Sequence, residues 1–215
     1  MKAVIFDMDG LLLDTERLAA LAYDYAGEKT GIGPAGYMIE SVLGLTVSAA
    51  DDVLRAEFGD KYDPVSFAAA KREFTLDYEA KYGVPVKPYA KETVEALSAL
   101  GFKLALASST YSDTVKRQLS AVGIYDKLDA VVTGDLVARS KPAPDIYLRA
   151  CELLGVDPVD AVVLEDGKNG ILSAHSAGCA VIMVPDLWQP DGVVRALVHG
   201  IAANLDEALK MIKAM

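Results

Sequence analysis

Ala3-Val4-Ile5-Phe6-Asp7-Met8-Asp9-Gly10-Leu11-Leu12-Leu13-Asp14-Thr15-Glu16 is the stretch from which the rest of this 215-residue chain can be read. Four apolar residues of strand character run straight into two carboxylates one residue apart, and then into glycine. Such an ending delivers an acid to a site beside the strand, and the glycine lets the backbone turn sharply. Two like charges about 4 Å apart repel by roughly 4 kcal/mol at an effective dielectric of about 20. The pair therefore calls for a cation, and a divalent metal is the simplest candidate. Asp-x-Asp-Gly also occurs in ordinary turns and calcium loops, so the residues downstream have to decide between these roles.

From Tyr89 onward, short apolar runs alternate with helical patterns. The runs are Leu104 to Ala107, Ala130 to Thr133, Ala161 to Leu164 and Ala180 to Val184. Between them Val94/Leu97/Leu100, Val115/Leu119/Val122 and Ile146/Ala150/Leu153/Leu154 fall at helical spacing, and Gly101, Gly123, Gly155 and Gly178 close the helices. Continuous apolar strands separated by helices predict an α/β fold with a parallel sheet covered on both faces. With Ala3 to Phe6 that sheet has at least five strands. The stretch from Thr15 to about Tyr82 has helical patterns and no clear strand, with one helix opening at Asp63-Pro64. It predicts a helical insert, 15–83, in a core made of 1–14 and 84–215, with two closely spaced linkers forming a hinge. Phe67, Phe74, Tyr78 and Tyr82 lie on one stripe and read as the insert's own core, while Lys71 and Arg72 read as a solvated face.

In an open parallel sheet, ligands bind at the carboxyl ends of the strands. Asp7 and Asp9 follow the first strand, and Ser108-Ser109-Thr110 follow Leu104 to Ala107. Lys141, in Arg139-Ser140-Lys141-Pro142, comes after Ala130 to Thr133, and Glu165-Asp166-Gly167 follow Ala161 to Leu164. Each alone reads as a cap, a solvated charge or a turn. Turn chemistry does not predict all four at successive strand ends. A carboxylate beside a second carboxylate, a metal, a lysine and a hydroxyl suits phosphoryl transfer, where positioning and charge neutralisation do most of the work. On this reading Asp7 attacks phosphorus, and Asp9 serves as general acid and then as general base. Ser108 and Ser109 bind phosphoryl oxygens, helped by backbone N–H groups where the next helix begins, and Lys141 offsets charge. Mg²⁺ is expected on Asp7, the Asp9 carbonyl and Asp166, with Glu165 as a neighbour or alternate ligand.

Other classes are disfavoured. The net charge of −10, without a basic run, argues against nucleic acid or a membrane surface as partner. The N-terminal apolar run is too short for a signal peptide, and no stretch of about 18 apolar residues occurs, so a cytoplasmic protein is expected. Cys151 and Cys179 lack Cys-x-x-Cys spacing and read as reduced packing residues. No Gly-x-Ser-x-Gly is present, and His175 and His199 fall away from the strand ends, which disfavours a hydrolytic triad. Gly31-Ile32-Gly33-Pro34-Ala35-Gly36 matches a dinucleotide-binding pattern but follows a helix and contains proline, so it reads as a loop. A monomer acting on a small phosphate ester is the expectation. A receiver-type phospho-acceptor would carry its aspartate on a middle strand and have no helical insert.

These four elements, in this order, resemble the haloacid dehalogenase superfamily. More narrowly, Phe6 to Glu16 and Ser140-Lys141-Pro142-Ala143-Pro144-Asp145-Ile146-Tyr147 resemble its β-phosphoglucomutase-like branch. The resemblance covers essentially the whole chain. It implies a Rossmann-like core, a mobile helical cap inserted after the first strand, Mg²⁺ dependence, and sugar phosphates or similar monoesters as substrates. Asp9 separates this chain from dehalogenating and phosphonate-cleaving members, which have another residue there. Mutases of the branch carry a histidine near the cap hinge, where Ala19 falls here, and a cap arginine, for which Gly44-Leu45-Thr46-Val47 offers no counterpart. A mutase must hold and reorient a bisphosphate, so the resemblance implies a phosphatase, with mutase activity as the alternative. The family's Glu-Asp-Ser is Glu165-Asp166-Gly167 here, one hydroxyl fewer near the metal.

Overall fold

A computed structural model describes residues 1–43, 45 and 47–215. Of the segment weighed as the mutase's arginine loop, Gly44 and Thr46 lie outside the described residues. Strands β1 (Ala3–Phe6), β2 (Lys103–Ser108), β3 (Ala130–Thr133), β4 (Ala161–Glu165), β5 (Ala180–Met183) and β6 (Gly200–Ile201) form one sheet in the order β3-β2-β1-β4-β5-β6. Every pairing is parallel. The five expected runs are all strands, each within one residue of its expected ends. β6, two residues long, carries too little pattern to be read from sequence. Every residue of β1, β4 and β5 is buried, which is why these strands, apart from Glu165 at the end of β4, are continuously apolar and do not alternate.

The helices are α1 (Thr15–Thr30), α2 (Ile39–Val42), α3 (Val47–Phe58), α4 (Pro64–Tyr82), α5 (Ala90–Ala99), α6 (Ser112–Ala121), α7 (Asp145–Leu154), α8 (Lys168–Ser176), α9 (Gly192–Leu197) and α10 (Leu205–Lys213). One face of the sheet, carrying Ile5, Ala105, Val132, Val163 and Val181, packs with Ile146, Tyr147 and Ala150 of α7 and Ile171 and Ala174 of α8. Cys151 and Cys179 belong to this core; both are free, with sulfur atoms 3.9 Å apart. Among the described residues, no helix is long and apolar enough to cross a membrane.

Contacts divide the chain into two compact units, Met1–Leu13 with Val86–Met215, and Asp14–Pro85. In the first, Leu13 bridges Val86, and the Lys87 N–H donates to the Leu12 carbonyl at 3.0 Å. In the second, the Asp14 N–H donates to the Pro85 carbonyl at 3.0 Å. This second unit is helical. Asp63 caps α4 by accepting the Ser66 N–H at 3.1 Å, with Pro64 in the first turn. The loop 31–36 follows α1 and no strand, consistent with its reading as a loop.

Two readings of the insert need correction. Phe67 is buried against Tyr23 and Tyr62, but the stripe leaves the core as it proceeds, and Tyr82 is 64% exposed. Phe74 still meets the Tyr25 ring of α1, centres 5.3 Å apart, and Tyr78 and Tyr82 continue from it as a ladder of ring contacts along α4. Lys71 is not on a solvated face: its ammonium lies 4.4 Å from the Tyr23 ring centre and 5.3 Å from that of Phe67. The resulting desolvation lowers its pKa.

Candidate active site

Strand order reverses between β1 and β4, the place where an open α/β sheet leaves a crevice at its carboxyl ends. Phe6 is level with Leu106 of β2 and Leu164 of β4. One residue further on, Asp7, Ala107 and Glu165 therefore form a row across three adjacent strands. They continue the face that carries Ile5, Ala105 and Val163, and so lie on the side of α7 and α8. After Asp7 the chain folds into a tight turn in which the Leu12 and Leu13 N–H groups donate to the Met8 carbonyl. Gly10 has φ 81° there, a left-handed conformation that favours glycine. Met8, Leu11, Leu12 and Leu13 are all buried around this turn.

Lys141 reaches that row. Its ammonium donates to Asp7 Oδ1 at 2.5 Å, Glu165 Oε1 at 2.7 Å and the Ala107 carbonyl at 3.0 Å. An ammonium has three N–H bonds, and each is matched by one acceptor from one strand end. The Lys141 side chain is 8% exposed, against 10% for Asp7 and 3% for Glu165. Glu165 is held from both sides. Its Oε1 accepts from Lys141 and from the Tyr147 hydroxyl at 2.8 Å, and its Oε2 accepts the Asp166 and Gly167 N–H groups, both at 3.0 Å.

Asp9 turns toward the end of β2. Its Oδ2 accepts from Thr110 Oγ1 at 2.7 Å and from Ser108 Oγ at 3.4 Å, and Ser108 Oγ in turn accepts the Thr110 N–H at 3.1 Å. Ser108 is fully buried and Ser109 is exposed at the turn. Asp7, Glu165 and Asp166 offer carboxylate oxygens within 4.8 Å of one another, a cluster that could hold a metal ion. Sequence reasoning thus brings together Asp7, Asp9, Ser108, Lys141, Glu165 and Asp166. It does not give Thr110 as a partner of Asp9, although Thr110 closes the Ser-Ser-Thr run, and it gives Tyr147 no role at the site beyond its place in the 140–147 motif. Lys168, beside the family's missing serine, is taken up by Asp191 at 2.8 Å. Both histidines are exposed, and His199 Nδ1 accepts the Val181 N–H at 3.3 Å.

The charges in the cluster do not balance, since one ammonium faces three buried carboxylates. Burial, together with Glu165 and Asp9, pushes the Asp7 carboxyl up to about 8 against the pull of Lys141. For Lys141, burial alone would favour the neutral amine, but Asp7 and Glu165 outweigh it and hold its pKa well above the ordinary lysine value. The cluster has an excess of negative charge and a set of hard oxygen donors, which is the donor chemistry a divalent cation of the Mg²⁺ type takes.

Haloacid dehalogenase-like hydrolases match this sequence over residues 1–178. The chain belongs to that family. It is 32% identical over 215 residues to the phosphorylated carbohydrates phosphatase of Thermotoga maritima, covering 99% of this chain and 94% of that protein. It is 29% identical over 217 residues to the phosphoglycolate phosphatase of Thiobacillus denitrificans, covering 99% and 96% of the two chains. A crystal structure of a Thermotoga maritima protein provisionally named beta-phosphoglucomutase aligns over 100% of both chains, with a TM-score of 0.83 and 29% identity. The Rossmann-like fold and the β-phosphoglucomutase-like branch read from the sequence are borne out.

Proposed function

We propose that this phosphoric monoester hydrolase is a Mg²⁺-dependent phosphatase that frees phosphate from a small ester, a sugar phosphate or similar, by way of a phosphoaspartate on Asp7. The observation that carries the reading is the Lys141 ammonium seated on Asp7, with Glu165 and Asp166 alongside. It pairs a strand-end carboxylate with the positive charge that an incoming phosphate needs. Asp7 attacks phosphorus while the ester oxygen leaves with a proton from Asp9. Asp9 then takes a proton from water, whose oxygen attacks phosphorus and releases the Asp7 carboxylate. Thr110 and Ser108 orient Asp9 through its Oδ2. Ser108 and Ser109 line the phosphate position, and Lys141 neutralises charge shared by Asp7 and the phosphate. Asp7, the Asp9 carbonyl and Asp166 would hold the Mg²⁺, while Glu165, with four donors already on it, holds Lys141 until phosphate binds. When bound, Mg²⁺ supplies positive charge to the phosphate and draws electrons from phosphorus. The helical unit, 14–85, takes the part of the cap and chooses the alcohol portion of the ester.

The test is a screen of phosphate monoesters with and without Mg²⁺, with release of inorganic phosphate as the expected result. The rival, a phosphomutase, gains weight from the likeness to the Thermotoga structure. Incubation with a hexose 1-phosphate and a bisphosphate primer separates the two. Formation of the 6-phosphate without phosphate release would overturn the phosphatase reading.

Metal and pH should be linked in stability. Asp7 is raised from an ordinary carboxylate value to about 8. Its protonated form favours the fold, so that contribution is complete below about pH 4 and is lost as pH rises through about 8. The metal-free protein should therefore weaken over this window by a few kcal/mol. Mg²⁺ competes with the Asp7 proton, so its stabilisation should grow over the same window. Melting curves with Mg²⁺ and with chelator are expected to differ more at pH 8.5 than at pH 6. An equal difference at both would contradict the assignment of Asp7 to the metal.

A further inference from the structure

Tyr147 lies in the first turn of α7, fully buried, with its ring centre 5.1 Å from Lys141 Nζ and its hydroxyl on Glu165 Oε1 at 2.8 Å. Its place in the helical pattern marks it as a core position, and a phenylalanine would fill the same space. The hydroxyl has to be explained separately, because a buried O–H needs a partner and this one has found a carboxylate of the site. We propose that Tyr147 is a positioning residue for phosphate binding: its hydroxyl keeps Glu165 hydrogen-bonded, so that Lys141 can turn from Glu165 to the phosphate. The proposal rests on the phosphatase reading above.

Lys141 has three N–H bonds, and Asp7, Ala107 and Glu165 use all three. A phosphoryl oxygen can gain one of them only by displacing an acceptor. The Asp7 contact is tied to the reacting group, and the Ala107 carbonyl is backbone fixed within β2. Glu165 is the acceptor left to yield. Its Oε2 is served by the Asp166 and Gly167 N–H groups throughout, whereas Oε1 takes its hydrogen bonds from the side chains of Lys141 and Tyr147. With the Tyr147 hydroxyl present, Oε1 keeps a donor after Lys141 turns away. With phenylalanine at 147 it would be a buried carboxylate oxygen with none, a state costly enough to hold Lys141 back. A phenol suits the task, being rigid and held in place by the packing of its own ring.

The decisive variant is Tyr147→Phe, which keeps the ring and removes the donor. In the Mg²⁺-loaded full-length protein, the calorimetric Kd for inorganic phosphate and the KM for p-nitrophenyl phosphate should both rise about tenfold, with kcat changed far less. A residue that merely packs would leave both constants unchanged. The same substitution in a Glu165→Gln background should have no effect, because a neutral amide releases Lys141 without leaving a bare charge. Thermal melting checks that each variant is folded at the assay temperature. If the wild-type enzyme hydrolyses phosphate esters and Tyr147→Phe binds phosphate as tightly as it does, the positioning role is wrong and the phosphatase reading survives. An equal loss in the Glu165→Gln background likewise overturns the role. If the wild type hydrolyses no phosphate ester, the two fall together.

Discussion

An Asp7→Asn enzyme should fold normally and lose turnover by at least about 10³-fold. The loss follows from the proposed chemistry: an amide oxygen cannot displace an alkoxide from phosphorus and carry the phosphoryl group onward. The fold should survive because Asp7, with its carboxyl raised to about 8, is largely protonated in the metal-free protein at neutral pH. An amide of nearly the same shape then replaces a neutral acid. Lys141 keeps Glu165 and the Ala107 carbonyl as acceptors. Metal-free melting temperatures of the two proteins should lie within a few degrees of each other at pH 7, and the mutant should gain above pH 8, where the wild type must bury an extra charge. Phosphate release and melting curves on the same preparations check both halves. Activity that persists in a folded Asp7→Asn protein would remove Asp7 as nucleophile.

The parts of this fold that were legible are those in which local pattern and final position coincide. β1, β4 and β5 are buried throughout, so their apolar runs have no competing reading. The carboxyl ends of the strands follow directly, and with them Asp7, Ser108 and Glu165. The less legible parts depend on three-dimensional neighbours. Thr110 and Tyr147 have no assigned role in the sequence because a Ser-Ser-Thr run reads as a helix cap and Tyr147 figures there only as the last residue of the 140–147 motif. Their partners lie 101 residues away for Thr110 and 18 for Tyr147. Lys71 looks like a surface cation on its helix, but Tyr23 of another helix covers it. Leu100 and Leu153 match helical spacing yet are about half exposed, since the stripe that actually packs is narrower than the apolar pattern.

Gly170→Ala should be strongly damaging for one added methyl group. Gly170 sits in the first turn of α8, and a Cβ there would fall 1.5 Å from Glu165 Oε1 and 1.9 Å from its carboxyl carbon. Nothing about the backbone requires glycine, because Gly170 is absent from the positive-φ positions. Space is the constraint. A flexible side chain would normally swing away at little cost, but the Glu165 carboxylate is fixed by Lys141, Tyr147 and two backbone N–H groups. The methyl group must expel it from all four, leaving Lys141 short of one acceptor in a buried site. Breaking a buried pair in this way typically costs about 3–5 kcal/mol, so a fall of the melting temperature by about ten degrees or more is expected, with phosphatase activity lost alongside. A double-mutant cycle isolates the cause. In a Glu165→Ala background the carboxylate is already gone, so adding Gly170→Ala should cost less than about 1 kcal/mol in urea unfolding. An undiminished penalty there would trace the glycine to helix packing and dissolve its link to the site.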